Sequence, residues 1–183
     1  TQGQGKDTSY WLPSFDDVNE KVIFNISVIS KKKLAILSNG LEKSFLSKGN
    51  QMTFNGNGVE KLVHYQMQKP MSSYLVMLAI GNFEKQLEVS KSGTPLEFYI
   101  DKKDVTKFEP TFRYSRQMFD YLEQEIGVKY PWHIYRQVPV RDFLYAGMEN
   151  TTSTIFAQDF VVDSIGFNDR NYINVNAHEL AHQ

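Results

Sequence analysis

The final residues, His178-Glu179-Leu180-Ala181-His182-Gln183, contain the pattern H-E-x-x-H, which constrains local structure more tightly than any other stretch of the chain. In an α-helix, positions four apart stand one turn apart on the same face. His178 and His182 can therefore aim two imidazoles at a single metal ion, with Glu179 beside them as a general base. Neutral imidazoles in a water-activating role point to zinc. Taken by itself, the pentad has a second reading, a helix end carrying two solvated histidines. The pattern predicts a closing helix that starts near Asp169 or Asn171, with Asp169 placed to cap it.

Such a site needs a packed scaffold. With 183 residues, 41% of them hydrophobic and 14% aromatic, the chain can fill one large domain or two small ones. Basic and acidic residues balance at 20 against 21, net −1, so no charged surface for nucleic acid is expected, and Lys31-Lys32-Lys33 reads as a solvated turn. The absence of cysteine excludes disulfides and thiolate ligands and leaves the compartment open. No apolar run approaches the ~20 residues of a membrane-spanning helix. The start, Thr1-Gln2-Gly3-Gln4-Gly5, is not a signal peptide and lacks an initiator Met, so both ends read as cut.

Residues 22 to 100 read as β-structure. Val22 to Ile29 forms one run, and Leu34 to Ser38 another, closed by the hairpin signal Asn39-Gly40. Asn55-Gly56-Asn57-Gly58 repeats that turn chemistry. Leu62 to Gln68 alternates, with Val63, Tyr65 and Met67 on one face and His64 among the polar residues of the other. Met71 to Phe83 is apolar enough for a buried strand, Gln86 to Val89 is a short one, and Ser92-Gly93-Thr94-Pro95 turns into Leu96 to Ile100. After Asp101 the text changes. Phe112, Phe119, Leu122 and Ile126 recur at helical spacing between Pro110 and Gly127, which suit a first turn and a stop. Tyr130-Pro131-Trp132 follows as a loop, and Tyr135 to Val140 and Thr151 to Ala157 as strands. A boundary near residue 100 then separates a β-rich unit, residues 1–100, from an α+β unit, residues 101–183.

Ala146-Gly147-Met148-Glu149-Asn150 stands upstream of the pentad. A small, flexible pair followed by a carboxylate lets backbone approach a ligand and supplies an anion for a cation. Together with H-E-x-x-H about thirty residues later, it resembles the G-x-M-E-N and H-E-x-x-H pairing of the zinc aminopeptidases related to aminopeptidase N and leukotriene hydrolase, the gluzincin metallopeptidases. Trp11-Leu12-Pro13-Ser14-Phe15-Asp16-Asp17 with the downstream Lys21 is similar to that family's W-x-P-x-x-D pattern. Thr1-Gln2-Gly3-Gln4 resembles its T-Q-x-E or Q-x-Q segment. Met71-Ser72-Ser73-Tyr74-Leu75 and Gly81-Asn82-Phe83 resemble its M-S-x-Y-L and G-x-F stretch. The likeness runs through essentially the whole chain, with one local departure, Ala146 at the first glycine of G-x-M-E-N.

The resemblance implies an α+β architecture: a β-rich, saddle-like N-terminal domain followed by the start of a thermolysin-like catalytic domain, truncated after the pentad. It implies stepwise removal of N-terminal residues from peptides with a free N-terminus. His178 and His182 would be zinc ligands, and Glu179 would take a proton from the attacking water and pass it to the leaving amine. Glu149 would receive the substrate's α-ammonium. Ala146, Gly147, Met148, Asn150, Gln2 and Gln4 would line the substrate. The family's third zinc ligand, a glutamate on the following helix, and its transition-state tyrosine are not in this sequence, so these 183 residues alone are expected to bind zinc weakly and to be inactive. The alternatives are a non-catalytic, β-rich binding scaffold of the same shape, and a thermolysin-like endopeptidase that has no need of Glu149.

Overall fold

The computed structural model describes residues 1, 3–31, 33–43 and 60–183. Gln2, Lys32 and the turn sequence at residues 55–58 lie outside them. The chain packs as two compact units, Thr1–Asn82 and Phe83–Gln183. In packing terms it divides earlier than the change in sequence character near residue 100, because the strands on either side of Ser92-Gly93 belong to the sheet of the second unit. The described residues are β-rich with a few helices, an α+β composition. None of the described helices is long and apolar enough to cross a membrane.

The first unit contains β1 (Lys21–Val22), β2 (Asn25–Lys31), β3 (Ala35–Ser38), β4 (Leu41–Lys43), β5 (Glu60–Gln66), β6 (Met71–Ser72) and β7 (Leu78–Gly81). They pair antiparallel as β1–β6, β2–β5–β4 and β3–β7. In and just beyond β5 the alternation holds as expected: Val63, Tyr65 and Met67 are buried, and Leu62, Gln66 and Gln68 are exposed. His64 is half-buried, and its Nδ1 lies 2.8 Å from the Ser27 hydroxyl. The expected run from Val22 to Ile29 is two strands, since β1 pairs with β6 while β2 pairs with β5.

Asn39-Gly40 does not close a hairpin. β3 and β4, on its two sides, pair with β7 and β5 respectively. The Asn39 amide donates to the Leu75 carbonyl (2.9 Å), and its oxygen accepts from the Met77 N–H (2.8 Å). Gly40 has φ +84, and a Cβ there would lie 2.3 Å from the Gln66 carbonyl oxygen. Glycine is required both by the positive φ and by this close backbone approach. The same chemistry that marks a hairpin thus makes a corner where the chain leaves one sheet for another. The buried strand expected over Met71 to Phe83 is likewise interrupted, by a tight turn at Ser73–Leu75 between β6 and β7.

The second unit is built on β8 (Phe83–Val89), β9 (Pro95–Asp101), β10 (Tyr135–Val140), β11 (Gly147–Met148) and β12 (Ser153–Ala157), in the order β11-β12-β10-β9-β8. β10 runs parallel to both β9 and β12; the outer pairs are antiparallel. Four helices accompany it: α1 (Phe108–Phe112), α2 (Ser115–Ile126), α3 (Gly166–Asp169) and α4 (Ile173–Ala181). Leu96, Phe98 and Ile100 of β9 share one face and pack with Tyr135, Phe156, Phe108, Phe112, Phe119 and Leu180. Burying side chains of this size contributes about 1.5–3 kcal/mol each before conformational entropy is set against it. On the other face, Arg136 is only 2% exposed and its Nε donates to Glu97 (2.8 Å), which also receives Lys85 (2.8 Å).

Two helix expectations are corrected. The helix expected from Pro110 to Ile126 is two, broken at Arg113-Tyr114; the apolar periodicity runs on across the break, so the side chains do not reveal it. Phe112 and Phe119 are buried and Leu122 packs against them, whereas Ile126 is 62% exposed. Gly127 ends α2 in the left-handed region (φ +72), donating its N–H to the Glu123 carbonyl, as a C-terminal glycine does. Asp169 is the last residue of α3 and caps nothing; Asp163 Oδ1 accepts from the N–H groups of Ile165 and Gly166 instead, and α4 starts after Tyr172 with no side-chain cap.

Candidate active site

α4 carries the pentad, and its placement starts from a buried polar ring beneath it. Ser115 Oγ donates to Gln137 Oε1 (2.8 Å), Gln137 Nε2 donates to Asn176 Oδ1 (2.6 Å), and Asn176 Nδ2 donates back to Ser115 Oγ (2.8 Å). All three are buried, so each bond forms in a low dielectric and a missing partner would be costly. The ring ties α2, β10 and α4 together two residues before His178. The Tyr135 hydroxyl extends it, accepting from Gln137 Nε2 (3.2 Å) and lying 2.8 Å from the Thr154 hydroxyl. Burial, followed by its hydrogen bonds to Thr154 and Gln137 acting the other way, leaves the Tyr135 phenol pushed up to about 12.

One turn apart on α4, the imidazoles of His178 and His182 converge, Nε2 to Nε2 3.2 Å, with ring centroids 4.8 Å apart at 80°. Two nitrogens bound to one tetrahedral zinc at 2.0–2.1 Å stand about 3.3 Å apart, so the pair has the separation of two ligands on one ion. Among the described residues no group of three or more His, Cys, Asp or Glu side chains completes a cage. The donor set present here fits zinc as two of its ligands.

Glu179 points to the other side of the same turn. It is 6% exposed, and its Oε2 has no hydrogen-bond partner. Burial, and then the negative charge of Glu149, raise its carboxyl to about 7, while His178 acts in the opposite direction. The side chain lies against Gly147: a Cβ at that position would stand 2.5 Å from Oε1 and 2.6 Å from Cγ. The glycine leaves the space that the carboxylate occupies, and any larger residue requires Glu179 to swing away.

A raised carboxyl is a statement about stability. Between pH 4.5, its ordinary value, and about 7, the folded state holds a proton that the unfolded state has released. This contribution to stability is present below 4.5 and is lost as pH rises through 7. Glu179→Gln is therefore expected to stabilise the metal-free protein at pH 8 by about 1–2 kcal/mol, after allowance for partial solvent screening, and to change little at pH 4.5. Thermal melts of chelator-treated protein at the two pH values check it; equal melting of the two proteins at pH 8 would contradict an unpaired buried carboxylate.

The five-residue string upstream is divided by the fold. Gly147 and Met148 form β11, paired with Phe156 and Ile155 of β12 on one side only, at the edge of the sheet. Ala146 is exposed and its carbonyl accepts from the Ala157 N–H (3.1 Å). Met148 and Asn150 are buried, which directs the Met148 side chain into the protein, and Glu149 is half-buried between them. The structure thus brings Gly147, Glu149, Glu179 and the two histidines into one neighbourhood. Gln4 lies in a turn of the first unit, half-buried. The Ser115–Gln137–Asn176 ring and the contacts of Gln183 have no counterpart in the sequence reading. The signal for the ring is two polar residues, Arg136 and Gln137, inside an otherwise apolar strand that is buried from Tyr135 to Pro139.

Comparison with known proteins covers both units. A family model described as the peptidase M1 N-terminal domain matches residues 1–75, and one described as the peptidase family M1 domain matches residues 111–183. Glutamyl aminopeptidase of Homo sapiens and aminopeptidase 2 of Candida albicans are each 29% identical to the chain, and aminopeptidase A of Gloydius brevicauda is 25% identical. Each alignment takes in 100% of this chain and 19% of the relative, so the chain spans about a fifth of the length of the curated relatives it matches. The N-terminal and peptidase models follow one another here in that order, the second ends on the helix that carries the pentad, and the chain belongs to peptidase family M1.

Proposed function

We propose that the protein carrying this sequence is a zinc aminopeptidase that removes residues one at a time from peptides with a free N-terminus. The carrying observation is the convergence of two imidazole nitrogens at 3.2 Å beside a buried carboxylate oxygen that has no partner of its own. An M1 match on both units and aminopeptidase names among the relatives support the same reading. The assignment of residues 1–100 to a saddle-like N-terminal β-domain and of residues 101–183 to the start of a thermolysin-like domain belongs to this proposal.

His178 and His182 would hold zinc, which when bound supplies Lewis acidity to the scissile carbonyl and lowers the pKa of water toward 7. Glu179 takes the proton from the attacking water at its unpartnered oxygen and returns it to the departing amine. In the metal-free protein burial and the charge of Glu149 raise this carboxyl, and a cation held by the adjacent imidazoles would favour its ionised, proton-accepting form. Glu149 accepts the α-ammonium of the substrate and so sets the distance from chain end to scissile bond. The open edge of β11 offers the Gly147 backbone to an extended peptide. Ala146, Met148, Asn150, Gln2 and Gln4 are proposed as substrate-binding residues on the motif alone.

The test is cleavage by the full-length protein of matched peptides with free and with N-acetylated ends. Release of single residues from the free peptides only is the expected result. Cleavage of both at internal bonds would replace the aminopeptidase reading with an endopeptidase one. The 183 residues by themselves contribute two imidazoles, so titration of that polypeptide with zinc by calorimetry is expected to show weak binding or none, with no hydrolysis of an aminoacyl fluorophore. Tight stoichiometric binding would mean that a further group of this chain completes the site.

A further inference from the structure

The helix with the two histidines and the turn with Glu149 are far apart in sequence, and an exopeptidase needs them at a fixed separation. The side chain of Gln183, one residue beyond His182, bridges them. Its Nε2 donates to the carbonyl oxygens of Glu149 (3.1 Å) and Asn150 (3.3 Å). Its Oε1 accepts from the N–H of Thr152 (2.9 Å) and, at 3.5 Å, from the Tyr130 hydroxyl. Donors face carbonyls and the acceptor faces an N–H, so the network itself fixes which way the amide is turned.

The turn being held is strained. Thr152 is β-branched, buried and at φ +66, a conformation that persists only when its surroundings over-determine it. Its carbonyl accepts from the Arg136 N–H (2.8 Å), and the Ser153 N–H donates to the Asn150 carbonyl (2.9 Å). Gln183 adds its own restraint to these, and adds it from the residue next to a histidine of the pentad. The geometry points to Gln183 as a positioning residue that sets the separation between the amine-accepting carboxylate of Glu149 and the two imidazoles. This rests on the aminopeptidase reading above.

Two substitutions separate the contacts. Gln183→Glu keeps an acceptor for Thr152 and sets carboxylate oxygens against the Glu149 and Asn150 carbonyls; Gln183→Leu keeps the volume and removes every bond. The probes are an α-amino hydroxamate and its des-amino counterpart, which share a metal-chelating group and differ in the ammonium that Glu149 would take. In the full-length, zinc-loaded protein the wild type is expected to prefer the amino compound. Both variants should lower that preference about tenfold, with the des-amino inhibition constant held within about threefold and zinc content unchanged. KM for free-amine peptides should rise more than kcat falls. If the leucine variant does not fold, the glutamate variant, which keeps the Thr152 bond, carries the test. An unchanged preference in the folded variants, or equal weakening of both inhibitors with loss of zinc, would overturn the positioning role and leave the aminopeptidase reading intact. No amine preference in the wild type would overturn both.

Discussion

Glu179→Gln in the full-length protein is expected to lower kcat by ~100-fold to 10,000-fold while zinc stays stoichiometric, the range for loss of a general base. The amide fills the same space against Gly147, so the fold and the two imidazoles are undisturbed. It has no lone pair basic enough to take a proton from water and none to return to the leaving amine. Metal analysis beside steady-state kinetics decides the matter. A variant that loses zinc with its activity would make Glu179 a ligand and not a base. In the metal-free protein the same change is expected to stabilise at alkaline pH, so one substitution should raise stability while removing function. The cause is common to both effects: a buried carboxyl with an unpartnered oxygen, raised by burial in the metal-free protein, is useful for proton transfer and unfavourable for folding.

The parts of this site that were legible in the sequence are those whose chemistry depends on short spacing. His178, Glu179 and His182 stand on one helical turn, and Met148-Glu149-Asn150 on one short strand and its exit. The alternating strand from Leu62 and the glycine stop at Gly127 were legible for the same reason. What escaped depends on partners distant in sequence. Asn39-Gly40 has hairpin chemistry, and only the contacts of Asn39 with Leu75 and Met77 make it a corner between sheets. The break between α1 and α2 leaves the apolar spacing intact. The ring of Ser115, Gln137 and Asn176 draws one polar residue from each of three elements, none of which carries a motif alone. Asp169 had the composition of a cap, but a short separate helix intervenes and Asp163 does the capping ahead of it.

Glu149 and Glu179 form a pair whose charges interact, since the negative charge of Glu149 is one of the causes that raise Glu179. A substrate ammonium seated on Glu149 would cancel that charge at the moment of binding and so make Glu179 easier to ionise. In the proposed reaction the two carboxylates would thereby link recognition of the chain end to readiness of the base. Glu149→Ala is accordingly expected to cost free-amine peptides about 3–5 kcal/mol in kcat/KM, the scale for removing one partner of a partly desolvated ion pair. Zinc content and melting temperature should change little, because Glu149 is half-buried and its backbone carbonyl, not its side chain, is what Gln183 holds. N-acetylated peptides bring no cation to the site and should not share the loss. Kinetics on matched free and acetylated peptides, run on wild type and variant, separate the outcomes: equal damage to both would remove the amine-anchor role from Glu149 and leave it an electrostatic neighbour of the base.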